Sequence, residues 1–182
     1  MEIIFLTTYN GKLRETISEF LASRAAKTDI FCLQEVYDGK GNMKELANKL
    51  LVDYTGTFAY KAIESEDFLQ ATYTHSQLSV SKSEILFPTE QDFGLGIVTE
   101  VEYKGEQLTL CNFHGRSKPG NKLDTPERLE QSRRIIQYFQ SVPHPHIIGG
   151  DFNLDLNTKS IQMFAESGYK NLIVENGVRT TR

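Results

Sequence analysis

Tryptophan is absent from this 182-residue chain, cysteine occurs twice and proline five times. Two cysteines build no disulfide framework. Cys32 and Cys111 both fall inside apolar runs with no metal-type spacing between them, so they read as buried thiols. Positive charge is not in excess either, since 20 Lys and Arg face 24 Asp and Glu for a formal charge of -4. With no global positive field to hold nucleic acid non-specifically, any phosphate must be gripped locally. The acidic balance and the missing tryptophan also weigh against a dedicated general nuclease. No apolar run approaches the length that crosses a bilayer, and Met1 to Leu6 carries neither a basic leader region nor a small-residue cleavage site. No repeat, linker or low-complexity tract interrupts the chain. These absences predict a cytoplasmic protein without a membrane span, folded as one domain over residues 1–182 and long enough to bury a sizeable core.

What is present is an ordinary globular mixture, 39% hydrophobic and 24% charged. Ile3 to Leu6 is a short apolar run that stops at the turn signal Asn10-Gly11, which predicts a buried strand. Leu13, Ile17, Phe20 and Leu21 recur at helical spacing, and Asp29 to Leu33 supplies a second buried strand ending at Gln34-Glu35. A glycine-rich loop, Asp38 to Gly41, then precedes a second amphipathic helix through Met43, Leu46, Ala47, Leu50 and Leu51. Leu78 and Val80 alternate with serines, and Ile97 to Tyr103 and Glu106 to His114 flank Lys104-Gly105, the spacing of a hairpin. Asp124-Thr125-Pro126-Glu127 is a helix start with a cap, an early proline and early acid, and it sets Leu129, Ser132, Ile136 and Phe139 on one face. Pro143 ends that helix, with Arg133 and Arg134 expected on its solvated face. His146 to Gly150 predicts another strand, Ile161 to Ala165 a helix closed near Gly168, and Leu172 to Val174 a final strand. Helices alternate with strands at both ends while hairpins fill the middle, so a helix-flanked β-sandwich fits better than one parallel sheet.

The apolar strands stop at informative places. Four of them run into a group able to bind metal or phosphate: Asn10, Glu35, His114, and Asp151 with Asn153. Side chains beyond strand ends are held by rigid elements yet reach solvent, which is where sites collect. Each residue also has a plainer reading. Asn10-Gly11 alone is a turn, His114 alone a satisfied histidine, and Gly150-Asp151-Phe152-Asn153 a set of turn formers. Glu35 is harder to set aside, because a carboxylate directly after an apolar strand is costly to bury without a cation or donor. His144-Pro145-His146 reads as a loop rather than a metal pair. Arg116, Lys118 and Lys122 form a basic cluster just after His114, open to either local phosphate attraction or plain surface charge.

Taken in order, Thr8-Tyr9-Asn10-Gly11, Asp29 to Val36 with its Leu33-Gln34-Glu35, Asn112-Phe113-His114 and Gly149-Gly150-Asp151-Phe152-Asn153 resemble the endonuclease/exonuclease/phosphatase superfamily, the relatives of DNase I and abasic-site endonucleases. The resemblance covers nearly the whole chain. It implies an α/β fold of four layers, two mixed β-sheets face to face with helices outside, here without its C-terminal strands. It implies a phosphodiester hydrolase in which Glu35 binds Mg²⁺, with Mn²⁺ as a substitute, and Asn10 supports the metal. Asp151 would orient or deprotonate the attacking water, Asn153 and His114 would contact the phosphate, and Arg116 would help bind the substrate. The substrate is a phosphoester, nucleic acid being one class beside nucleotides and lipid or inositol phosphates. One departure stands out: such proteins finish with a Ser-Asp-His motif, and this sequence ends at Val178 to Arg182 with no Asp-His pair. The expectation is a shortened form of a longer protein. The alternative is a non-catalytic module, binding a phosphorylated ligand or a protein, that has lost the terminal motif. A metallophosphatase of another fold, suggested by Gly-Asp alone, lacks the accompanying Gly-Asn-His-Glu segment.

Overall fold

A computed structural model describes residues 1–37, 42–63 and 66–178; the loop expected at Asp38 to Gly41 lies outside them. Among the described residues eight strands form two sheets of four. The first contains β1 (Ile3–Thr7), β2 (Ile30–Gln34), β3 (Tyr54–Ile63) and β4 (Glu66–His75) in the order β1-β2-β4-β3. The second contains β5 (Ser79–Leu86), β6 (Leu95–Tyr103), β7 (Glu106–His114) and β8 (His146–Asp151) in the order β5-β6-β7-β8. The pairs β1/β2 and β7/β8 are parallel and the rest antiparallel. Lys104-Gly105 makes the tight turn between β6 and β7, as the spacing predicts.

Every residue of β2 is buried, because it is covered on both faces. Phe31 and Leu33 face Ile17 and Leu21 of α1 (Arg14–Arg24) and Met43 and Ala47 of α2 (Met43–Leu50), while Ile30 and Cys32 face Val101 and Leu110 of the other sheet. The second sheet repeats the scheme. Cys111 and Phe113 pack with Ile135 and Phe139 of α3 (Pro126–Gln140) and with Phe164 of α4 (Lys159–Glu166). The result is the α/β four-layer arrangement, helices outside and two mixed sheets within. Both thiols are free and fully buried. No helix among the described residues is long and apolar enough to cross a membrane.

Two expectations need correction. Leu172 to Val174 is not a strand but the start of a short helix, α5 (Leu172–Glu175), because the Asn171 side chain accepts from the Ile173 and Val174 amides at 3.1 and 3.3 Å and caps it. Arg134 is not simply solvated. Its guanidinium lies 5.2 Å from the ring centres of both Phe87 and Phe93 and pairs with Glu90 at 3.0 Å. The stretch between Tyr60 and Gly96 looks weakly patterned in sequence but holds β4 and β5 in full.

Candidate active site at the strand ends

The carboxyl ends of β1, β2, β7 and β8 share one end of the sandwich. Within each sheet the parallel register does this, setting Thr7 beside Gln34 and His114 beside Asp151. Between the sheets a buried polar bridge does it. Gln34 Nε2 donates to Asn112 Oδ1 at 2.6 Å, Asn112 Nδ2 donates to the Ala71 carbonyl at 3.0 Å, and Gln70 Nε2 donates to the Asn112 and Leu95 carbonyls at 3.0 and 3.1 Å. All three amides are buried, so these bonds substitute for water and fix one sheet against the other. On the same side, Gly149 of β8 lies against the Phe5 ring of β1, where an added Cβ would come within 2.4 Å of the ring.

Thr8 joins the first two exits. It is fully buried, and its hydroxyl lies 2.7 Å from the Glu35 carbonyl and 3.1 Å from that of Gln34. Asn10 follows in a 3-10 turn, Tyr9–Gly11, with its side chain exposed. Glu35 is half-buried directly after β2, and the next amide, Val36, bonds to the Leu69 carbonyl at 2.9 Å. Tyr9, Asn10 and Glu35 have φ of 50°, 49° and 55°, and Asn153 has 56°. Non-glycine residues rarely adopt this left-handed region, and for Tyr and Glu it stores strain.

On the other sheet, His114 ends β7 only 5% exposed, its ring 4.9 Å from that of Phe68. Asp151 ends β8. Its Oδ1 accepts the Asn153 amide at 2.8 Å and its carbonyl accepts the Gly115 amide at 2.8 Å. Gly150 makes this turn possible: with φ of 127°, a Cβ there would lie 2.0 Å from the Phe113 carbonyl oxygen. Asn153 is oriented at both ends of its amide, Nδ2 donating to Gly115 O at 2.8 Å and Oδ1 accepting from Lys122. The second Nδ2 proton is the donor left for another group. Arg116 reaches toward the loop before β6, bonding Gln91 O at 2.9 Å and pairing with Asp92 at 3.2 Å.

Two buried cations that sequence reasoning missed hold the loops around these residues. Arg128 is 1% exposed and donates to the carbonyls of Leu123, Pro119, Ser117 and Arg116 at 2.6, 2.6, 3.1 and 3.2 Å. Lys61 is 3% exposed, and its ammonium reaches the carbonyls of Phe87, Phe93 and Gly94 at 2.6, 3.0 and 3.1 Å, and that of Glu90. Burial pushes the Lys61 ammonium down to about 8, against the opposing pull of Glu90. Lys61 falls in a stretch of mixed polarity, and Arg128 at helical spacing looks solvated, so neither carried a signal in the sequence. Among the described residues no three His, Cys, Asp or Glu side chains converge as a metal cage. Glu35 and Asn10 offer oxygen donors only, the chemistry a hard cation such as Mg²⁺ accepts with waters completing its shell.

This architecture is that of the DNase I-like sandwiches. The sequence profile of the Endonuclease/Exonuclease/phosphatase family matches residues 8–177, and the chain belongs to that family. Among solved structures, humanized D. rerio TDP2 carrying 14 mutations superposes with a TM-score of 0.67 at 22% identity, over 98% of this chain and 72% of its own. D. rerio TDP2 complexed with a single strand DNA product gives 0.64 at 22%, over 92% and 63%. ANGEL2, a 2′,3′-cyclic phosphatase in complex with adenosine-2′,3′-vanadate, gives 0.65 at 18%, over 84% and 47%. The last two are thus spanned over less than two thirds of their length. No curated protein sequence matches the chain.

Proposed function

We propose that this protein is a divalent-metal-dependent phosphodiester hydrolase acting through Asn10, Glu35, His114, Asp151 and Asn153. The observation that carries this reading is the meeting of four strand ends at one end of the sandwich, each delivering one or two of these groups. Left-handed backbone at Glu35 supports it, since strain of this kind gathers at functional sites.

Glu35 and Asn10 hold the cation, Mg²⁺ or Mn²⁺, through oxygen. When bound it offsets charge that builds on the phosphoryl oxygens. Asp151 has Oδ1 held by the Asn153 amide, so Oδ2 receives the proton of the attacking water. Asn153 presents its remaining Nδ2 proton to a phosphoryl oxygen, with Lys122 and Gly115 keeping the amide from flipping. His114 donates to the same group from the end of β7. Arg116 adds positive charge at the margin of the site, where Asp92 and the Gln91 carbonyl keep it extended.

The test is hydrolysis of bis-p-nitrophenyl phosphate in Mg²⁺. Asp151→Asn should lower the rate by about 10²–10⁴, and chelation should abolish it. A rate unchanged by both would overturn the reading.

A further inference from the structure

Lys61 lies on β3 two residues after Ala59, on the face that packs against Leu95 and Ile97 of the second sheet. Its side chain crosses to the segment that joins β5 to β6, where the ammonium gathers the carbonyls of Phe87, Glu90, Phe93 and Gly94. Two of those carbonyls bracket a tight turn, closed by the Phe93 amide on the Glu90 carbonyl at 3.2 Å, whose central residues are Gln91 and Asp92. The same two central residues hold Arg116, whose Nη1 donates to the Gln91 carbonyl at 2.9 Å and pairs with Asp92 at 3.2 Å. Lys61 thus grips the turn from the interior, and Arg116 leans on it from the site. An ammonium 3% exposed and satisfied by main-chain carbonyls is a costly way to fill space. Methionine would occupy the same volume without burying a charge, so the charge points to what it fixes.

We infer that Lys61 is a positioning residue for substrate binding: it fixes the turn at residues 90–93 so that Gln91 and Asp92 hold the Arg116 guanidinium at the margin of the site. This rests on the hydrolase reading, in which Arg116 helps bind the phosphoester. Arg128 fixes the Arg116 backbone, donating to its carbonyl at 3.2 Å, while the guanidinium end is placed from the turn. Ordering that long side chain before a ligand arrives removes part of the entropy cost of binding. The other ties on the segment act differently. Arg134 pairs with Glu90 at 3.0 Å from outside, with both side chains partly open to solvent, where ion pairs contribute little. Gln131 Oε1 accepts the Gly94 amide at 2.8 Å and Leu95 pairs with His114 in register, so the start of β6 and the end of β7 stay in place without Lys61. Its effect is therefore concentrated in the turn and reaches the substrate through Arg116.

A double-mutant cycle tests this, with bis-p-nitrophenyl phosphate binding to Asp151→Asn protein in Mg²⁺ followed by calorimetry so that turnover does not interfere. Arg116→Ala should weaken binding about tenfold, the scale of one charge-assisted hydrogen bond. Lys61→Met should weaken it about fivefold, but by less than about twofold in Arg116→Ala protein, because the group it positions is gone. Asp92→Ala, at a side chain 71% exposed, should weaken binding about threefold and lose that effect in the same background. Should Lys61→Met fail to fold by circular dichroism, Lys61→Gln takes its place in the cycle, keeping two N–H donors without the charge. Equal weakening by the Lys61 substitution with and without Arg116 would show that its charge acts on the anion directly, and no weakening would show that the turn holds without it. Either result overturns the inference. Hydrolysis by protein with Asp151 intact is scored separately, and there Lys61→Met should raise KM and leave kcat within about twofold. Coupled binding without hydrolysis would remove the proposed reaction and keep the positioning role, and hydrolysis with uncoupled effects would do the reverse. No binding by protein with Lys61 and Arg116 intact would overturn both.

Discussion

Replacing Asn112 by Leu tests whether the buried amide bridge, rather than apolar packing alone, aligns the two sheets. The substitution keeps the side-chain volume but deletes the bond from Gln34 Nε2 at 2.6 Å and the bonds to Ala71 O, Thr72 Oγ1 and Leu33 O at 3.0, 3.3 and 3.4 Å. Gln34 Nε2 keeps one other acceptor, the Cys32 carbonyl at 3.0 Å, so it is only half orphaned. Two Nδ2 protons serve those three acceptors, so with the Gln34 bond the loss amounts to three bonds, which at about 1 kcal/mol each predict a loss of about 3 kcal/mol. At roughly 2–4 °C per kcal/mol for a chain of this size, the midpoint should fall by about 6–12 °C. Urea unfolding followed by circular dichroism measures the first quantity and a thermal scan the second. Bis-p-nitrophenyl phosphate hydrolysis well below the new midpoint should also fall, because Asn112 lies two residues from His114 on β7. A loss under about 1 kcal/mol would show that burying Leu there offsets the missing bonds. The amide bridge would then be a passenger in the interface.

Lys61 gives a pH prediction whose sign is fixed by its lowered pKa. The folded ammonium titrates at about 8 and the unfolded one near 10.5, so in that window the unfolded chain binds the proton more tightly. The stability contributed by this residue should therefore rise with pH, by about 2 kcal/mol between pH 7 and 9.5. The difference between wild type and Lys61→Met, measured by urea unfolding across that range, should grow accordingly; a flat difference would refute the assignment. Burial pushes both the Cys32 and Cys111 thiols up, so neither should react with a disulfide reagent at pH 8 until the protein unfolds. Rapid labelling of folded protein would contradict the packing of β2 and β7. Mg²⁺ should raise the thermal midpoint in proportion to its binding, and Glu35→Gln should abolish that response; an equal response in the variant would place the ion elsewhere.

Much of the layout was legible because burial on one or both faces leaves a periodic trace. The apolar run Ile30 to Leu33 of β2, the turn Lys104-Gly105 and the capped start of α3 each follow from short local rules. The structure sets the residues flagged at the strand ends on four exits of one end of the sandwich. β3 and β4 left a weaker trace for a physical reason. Gln70, Thr72 and Thr74 of β4 are buried, so polar residues occupy positions that a hydrophobic pattern would reserve for aliphatics. The same reason hid Lys61 and Arg128, whose charges are satisfied by backbone carbonyls that no side-chain pattern encodes. At Leu172 to Val174 three apolar residues fit either a strand or a helix turn, and the deciding signal was the cap at Asn171.

The left-handed backbone at Tyr9 and Glu35 sets heat tolerance and chemistry against each other. Glycine is the residue that this conformation prefers. A laboratory selection rewarding only thermal stability should therefore collect glycine at positions 9 and 35, and with it lose the proposed metal carboxylate. A selection rewarding turnover should hold Glu35 in place and seek its stabilising changes elsewhere. The pattern of substitutions surviving each regime would reveal what this end of the molecule is for without any substrate being known beforehand.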